Sequence, residues 1–217
     1  EAPVDPASLD PAAALGAAVA ALPFRPWHGA MAGVCALAYA ACACSSVVMP
    51  WVLISMRGPM KLSTAWEGAI SGTIYWGMAV GSVASGPLAD VWGRRALTWW
   101  SLAGLALCQA LLGLLRSPGP VVALLLVRGT FYMAAENVAK TLLAECLPAR
   151  RRGMLLNLVH PAWQVGGLVA TGLTYGTDDF RALAPLSAVL PALAALAAAA
   201  VFVESPLWLA RARGPAA

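Results

Sequence analysis

The sequence predicts an all-α membrane protein with six transmembrane helices, and two observations carry that expectation. The 217 residues are 60% hydrophobic and only 11% charged, whereas an average soluble domain is about one-quarter charged. The charges are also segregated. His28–Met56, Gly68–Ala89, Ala96–Leu115, Met154–Gly176 and Ala182–Val203 contain no Asp, Glu, Lys or Arg. Roughly 20 apolar residues cross a bilayer as a helix, so each run is long enough. The 20 Gly and 16 Pro fit the same reading, because membrane helices tolerate both where neighbouring helices satisfy the freed backbone groups.

Residues 1–26 are Ala/Pro-rich, hold three acids and Arg25, and lack the basic start of a signal peptide. They read as a flexible cytoplasmic tail before a transmembrane domain over 27–209. The first helix is expected at about 28–56, broken by Arg57-Gly-Pro-Met-Lys61. Thr64 with Glu67 three residues on reads as a capping box opening the second helix, which covers about 68–89. Asp90–Arg95 is a tight polar loop, and the third helix is expected at about 96–115. Ser117-Pro-Gly-Pro120 is a turn by composition. The fourth helix, about 121–143, is the span that carries full charges: Arg128, Glu136 and Lys140. A basic loop over Glu145–Gly153 precedes a fifth helix at about 154–175. Asp178-Asp179-Phe180-Arg181 leads to a sixth at about 183–203, with a short tail at 210–217.

Six spans place both termini on one side. The loops on that side hold Arg25, Arg94, Arg95, Arg150, Arg151, Arg152, Arg211 and Arg213, against Arg57, Lys61, Arg116 and Arg181 opposite. Basic residues concentrate on the cytoplasmic side, so the termini are expected there. The net charge of +4 is therefore a topology signal and not a nucleic-acid footprint. Cys42-x-Cys44 lacks zinc-ligand spacing, and no nucleotide- or phosphate-binding loop is visible. No metal or cofactor is expected.

Gly86-Pro-Leu-Ala-Asp90-Val-Trp-Gly93-Arg94-Arg95 is the most specific stretch. A Gly lets helix ends approach closely, Asp90 can cap a helix end and pair with Arg, Gly93 turns the chain, and two Arg sit at the membrane surface. In this place it resembles the signature loop of the major facilitator superfamily. Glu145-Cys-Leu-Pro148-Ala-Arg-Arg-Arg152-Gly153 is similar to the loop after helix four in that superfamily's sugar porter and organic ion branches. Val203-Glu204-Ser205-Pro206-Leu-Trp208-Leu209 resembles the ending of their sixth helix. His160-Pro-Ala-Trp163-Gln-Val-Gly166, and Phe180-Arg181 with Ser187-Ala-Val-Leu-Pro191, resemble the synaptic vesicle two-related branch. The first helix, at Cys44-Ser-Ser-Val-Val-Met-Pro50-Trp51, holds no acid.

The resemblance implies a six-helix bundle of two inverted three-helix repeats, the first half of a twelve-helix protein. It implies transport of a small organic solute (an organic ion or a sugar-like molecule) by alternating access, with a coupling proton or cation. The partners it implies are the lipid bilayer, the solute and a second six-helix bundle. It also implies a cytoplasmic salt-bridge latch formed from Gly86, Asp90, Gly93, Arg94, Arg95, Glu145, Arg152 and Glu204.

Polar residues inside spans are the pathway candidates, because charge in the bilayer is costly and normally faces a bundle interior or a wet cavity. Arg128 is expected in the outer third of its helix, either snorkelling outward or lining the pathway. Glu136 and Lys140 stand at i,i+4 in the favourable order for a pair. By the same resemblance His160 stands where sugar porters carry a substrate-facing Gln, which makes it a pocket candidate and a candidate proton acceptor. Asn157 and Gln164 share its face, and Trp163 adds an aromatic surface. Two other readings compete: a half-length membrane partner without transport of its own, and an intramembrane serine protease using Ser71 and His160.

Overall fold

The structure, a computed structural model, describes residues 18–19, 21–177 and 179–213. Residues 1–17 and 20, most of the expected N-terminal tail, lie outside the described residues, as do Asp178 and 214–217. The described chain is helical. The first four spans are α1 (Pro26–Met60), α2 (Thr64–Trp92), α3 (Arg94–Leu112) and α4 (Pro118–Cys146). The fifth span is two pieces, α5 (Ala149–Val159) and α6 (Pro161–Gly176), and so is the sixth, α7 (Phe180–Ser187) and α8 (Val189–Val201). A short α9 (Pro206–Arg213) follows. Among the described residues, three stretches, Pro26–Met60, Pro118–Cys146 and Phe180–Val201, are long and apolar enough to cross a membrane by length and composition alone.

Several local expectations give way. The cap of α2 is Ser63 and not Thr64: its hydroxyl accepts from the Trp66 N–H at 3.5 Å, while Glu67 pairs with Arg57 at 2.8 Å. The Asp90–Arg95 loop is reduced to one residue, Gly93, at φ +90° between α2 and α3. Only glycine adopts that backbone readily. Ser117–Pro120 is a helix start, since Pro118 sits in the first turn, where a missing N–H costs nothing. The basic loop after α4 is mostly helix, because α5 begins at Ala149. The fifth span breaks at His160 because Pro161 has no N–H and its ring clashes with the carbonyl four residues back. Pro191 lies three residues past the break at Ala188, and the carbonyl four residues back from it is that of Ser187, where α7 ends.

The bundle has internal symmetry. α2 lies against α4, and α1 lies against α6. α3 touches α4, and α7 and α8 touch α1. Exchanging spans one to three with spans four to six maps this pattern onto itself, as two repeated three-helix units require. The closest approaches obey the same exchange. A Cβ on Gly77 or Gly81 of α2 would collide with the α4 backbone at Leu126 and Thr130. A Cβ on Gly166 of α6 would collide with the α1 backbone at Ala40. Small residues at such crossings let membrane helices pack backbone to backbone. The close approach expected at Gly86 is absent, since a Cβ there meets nothing within 4 Å.

The core is two apolar clusters with a polar layer between them. One cluster holds Tyr39, Leu105, Leu142 and Phe202; the other holds Val52, Leu112, Leu125 and Phe180. Ser45, Gln109, Arg128 and Ser187, all buried, fall between the two clusters on α1, α3, α4 and α7.

Candidate functional site

The first site is the charged end where α2–α3, α4–α5 and α8–α9 meet. Gly93 turns the chain so that the first N–H groups of α3 point at Glu204. Its Oε1 accepts from Arg94 N at 2.8 Å and Arg95 N at 3.1 Å. A carboxylate at a helix N-terminus satisfies donors that have no partner within the helix and opposes the helix dipole. The Arg94 guanidinium pairs directly with Glu145 and reaches Asp90 at 3.7 Å. The side chains of Arg94 and Glu145 are only 14% and 16% exposed, so water screens this pair weakly. Ser205 donates its hydroxyl to Glu145, and Trp208 donates its indole N–H to the Asp90 carbonyl at 2.8 Å. Arg95 reaches the Ala199 carbonyl at 2.7 Å.

Of the eight residues expected here, six converge: Asp90, Gly93, Arg94, Arg95, Glu145 and Glu204. Arg152 donates to the Leu147 carbonyl at 3.2 Å and makes no carboxylate pair among the described residues. Gly86 lines a shallow hollow beside Asp90 and Arg94. Ser205 and Trp208 join the site as well; both lie in the stretch after the sixth span, but a hydroxyl and an indole there carry no sequence mark of a partner.

The second site is the polar layer. Arg128 is 1% exposed, which removes the outward snorkelling reading. Its Nε donates to Gln109 Oε1 at 2.6 Å, and Nη2 donates to the Ser45 carbonyl. Gln109 in turn donates to Ser187 Oγ at 2.7 Å, and Ser187 donates to the Ala184 carbonyl at 2.7 Å. The guanidinium also lines a cavity of about 190 Å³ between α1, α2 and α4, beside Ser46, Pro50, Ser71 and Tyr75. Gln109 has no signal in the sequence beyond being a lone polar residue in an apolar run, Ser45 takes part through its backbone carbonyl, and Ser187 stands in the stretch Ser187–Pro191, which does not announce its partner.

The third group surrounds Tyr39. Lys140 Nζ lies 4.9 Å from the centre of the Tyr39 ring and 3.3 Å from Glu136 Oε1. His160 meets the same ring edge-on at 5.6 Å, and its Nδ1 faces the Leu156 carbonyl at 3.1 Å. Asn157, His160 and Gln164 are all exposed, and Trp163 is partly buried against the core. Ser71 and His160 are not brought together: Ser71 lines the Arg128 cavity and His160 sits at Tyr39.

An all-helical bundle of two repeats, with ion-paired helix ends and polar groups at mid-span, defines an integral multi-pass membrane protein of the major facilitator fold. The chain belongs to the sugar (and other) transporter family, which matches residues 27–214. It is 30% identical to the inner membrane metabolite transport protein YgcS of Escherichia coli (strain K12), over 76% of this chain and 38% of that protein. It is 29% identical to a gallate transporter of Pseudomonas putida, over 55% of this chain and 26% of that one. It is 28% identical to the niacin transporter NiaP of Acinetobacter baylyi, over 71% and 35%. Among solved structures, the fold matches the xylose transporter XylE from E. coli in a partially occluded inward-open conformation. The TM-score is 0.70 at 20% identity, covering 87% of this chain and 52% of that one. The chain thus spans about a quarter to two-fifths of these curated relatives' length and about half of the xylose transporter chain.

Proposed function

We propose that this chain is the N-terminal half of a secondary active transporter that carries a small organic solute by alternating access. Residues 27–209 form its transmembrane domain, with the 1–26 and 210–217 tails and both termini on the cytoplasmic side. The observation that carries the reading is the charged end. Three separate helix junctions are tied together there by one arginine and two carboxylates. Such a tie has two discrete states, joined and parted, which is what a rocking bundle needs at the end that opens.

Arg128, Glu136, Asn157, His160, Trp163 and Gln164, on the fourth and fifth spans, are wall residues of the solute path. A second six-helix bundle supplies the opposite wall. His160 is the candidate group through which a proton couples to the solute. The relatives named for metabolite, gallate and niacin transport support a small organic solute as cargo and moved without chemical change.

The test is uptake of gallate, nicotinate and xylose into proteoliposomes holding the full protein. We expect accumulation of at least one of them that collapses with the ion gradient, and slower uptake in Glu145→Gln at equal protein level. No accumulation of any of the three overturns the reading.

A further inference from the structure

Arg128 is held only by neutral acceptors. No carboxylate lies within ion-pair distance of it among the described residues. The nearest acid along its own helix, Glu136, is eight residues on, about 12 Å by helical rise, and it is engaged by Lys140. A buried cation without a counter-charge is costly, and a fold tolerates it where a charged partner arrives from elsewhere. The geometry leaves room for such a partner. Nε and Nη2 are bonded to Gln109 and Ser45, while Nη1 makes no hydrogen bond among the described residues. The guanidinium also forms part of the wall of the open cavity.

That cavity mixes an apolar lining (Met49, Ile70, Ile74) with the hydroxyls of Ser46, Ser71 and Tyr75. At about 190 Å³ it is smaller than a complete small-molecule site, which typically measures roughly 300–1,000 Å³. It has the size of one wall of a site shared with the second bundle. Ser187 holds Gln109, and Gln109 holds the guanidinium, through two buried hydrogen bonds, so Arg128 is fixed in place in the cavity wall.

We propose that Arg128 anchors a carboxylate, so that the solute carried is an organic anion whose carboxylate docks on the free edge of this guanidinium in the α1–α2–α4 cavity. This rests on the transporter reading above. Guanidinium and carboxylate match as planar, charge-assisted partners. The apolar wall takes the remainder of the solute.

The experiment is uptake by the full protein in proteoliposomes of nicotinate and benzoate, with nicotinamide, benzamide and xylose as neutral probes. We expect a carboxylate to be accumulated and its amide to be weaker by about tenfold or more, the worth of a charge-assisted hydrogen bond. Arg128→Gln abolishes carboxylate uptake, and Arg128→Lys retains part of it. Ser46→Asp serves as a second variant that leaves the arginine in place. It puts a carboxylate into the cavity wall, so anion uptake is lost, whereas Ser46→Asn retains it. Accumulation of xylose or an amide without either carboxylate overturns the proposal and leaves the transporter reading standing. So does carboxylate uptake that both Arg128→Gln and Ser46→Asp leave within about twofold of the parent. No uptake of any of the five overturns the transporter reading, and this proposal with it.

Discussion

Arg94 and Arg128 are both largely shut away from water, and they are held in different ways. Arg94 pairs with Glu145, reaches Asp90, and has its backbone N–H bonded to Glu204. Arg128 is buried more deeply, yet it meets only the Gln109 side chain and the Ser45 carbonyl and faces a cavity. The first arginine is closed by charges from other helix junctions, so its energy depends on whether those junctions are together. The second is fixed in place but not neutralised, so its energy depends on what enters the cavity. A satisfied cation serves as a tie between moving parts, and an unsatisfied one serves as a receptor.

The largest effect that tests this contrast is on stability. Arg94→Gln leaves Glu145 without its partner, and removing one member of a shielded pair costs about 3 kcal/mol. Arg128→Met orphans no carboxylate, so its loss should be clearly smaller. Thermal unfolding of the two variants in the same detergent checks the order, and a larger loss for Arg128→Met would break the comparison. An intermediate effect is expected from Ser187→Ala. It takes away the acceptor for the buried Gln109 amide and should cost about 1–2 kcal/mol by the same measurement. A loss near zero would mean that the layer behind Arg128 is not rigid. The smallest effect is expected at Glu136→Gln. Its i,i+4 pair with Lys140 is partly exposed on the lysine side and is worth about 0.5 kcal/mol or less. A stability loss as large as that of Arg94→Gln would place Glu136 in the structural class, away from the solute path.

The charged end was the more legible of the two regions. Its residues occur as dense local strings, with Gly93, Arg94 and Arg95 in one and Glu145 and Glu204 each opening another. Strings of that kind announce a turn, a helix start and an ion pair without tertiary knowledge. Even so, the strings suggest a salt-bridge partner in Glu204, whereas it acts chiefly on backbone N–H groups of α3. The polar layer was legible only as Arg128. Gln109 and Ser187 are 19 and 59 residues away from it along the chain, and nothing local says that they meet. The glycine crossings were hidden for the same reason: Gly77 and Gly81 matter because of the α4 backbone opposite them. Five of the six spans followed from the charge-free runs, and the fourth from the apolar stretch that holds Arg128, Glu136 and Lys140. The breaks at His160 and Ala188 did not, because both fall inside charge-free runs, which carry no mark of where proline geometry interrupts the helix.

The central claim is that the charged end governs access to the Arg128 cavity, and one labelling experiment addresses it. All five native cysteines are buried, so Ser46→Cys in the cavity wall gives a reporter with little background. Its reaction with a membrane-impermeant thiol reagent, applied to the side opposite the charged end, is timed with and without Arg94→Gln. The account predicts severalfold slower labelling when Arg94 is lost, because parting the tie favours the state that is closed on that opposite side. An unchanged labelling rate, with the protein still folded, would contradict it.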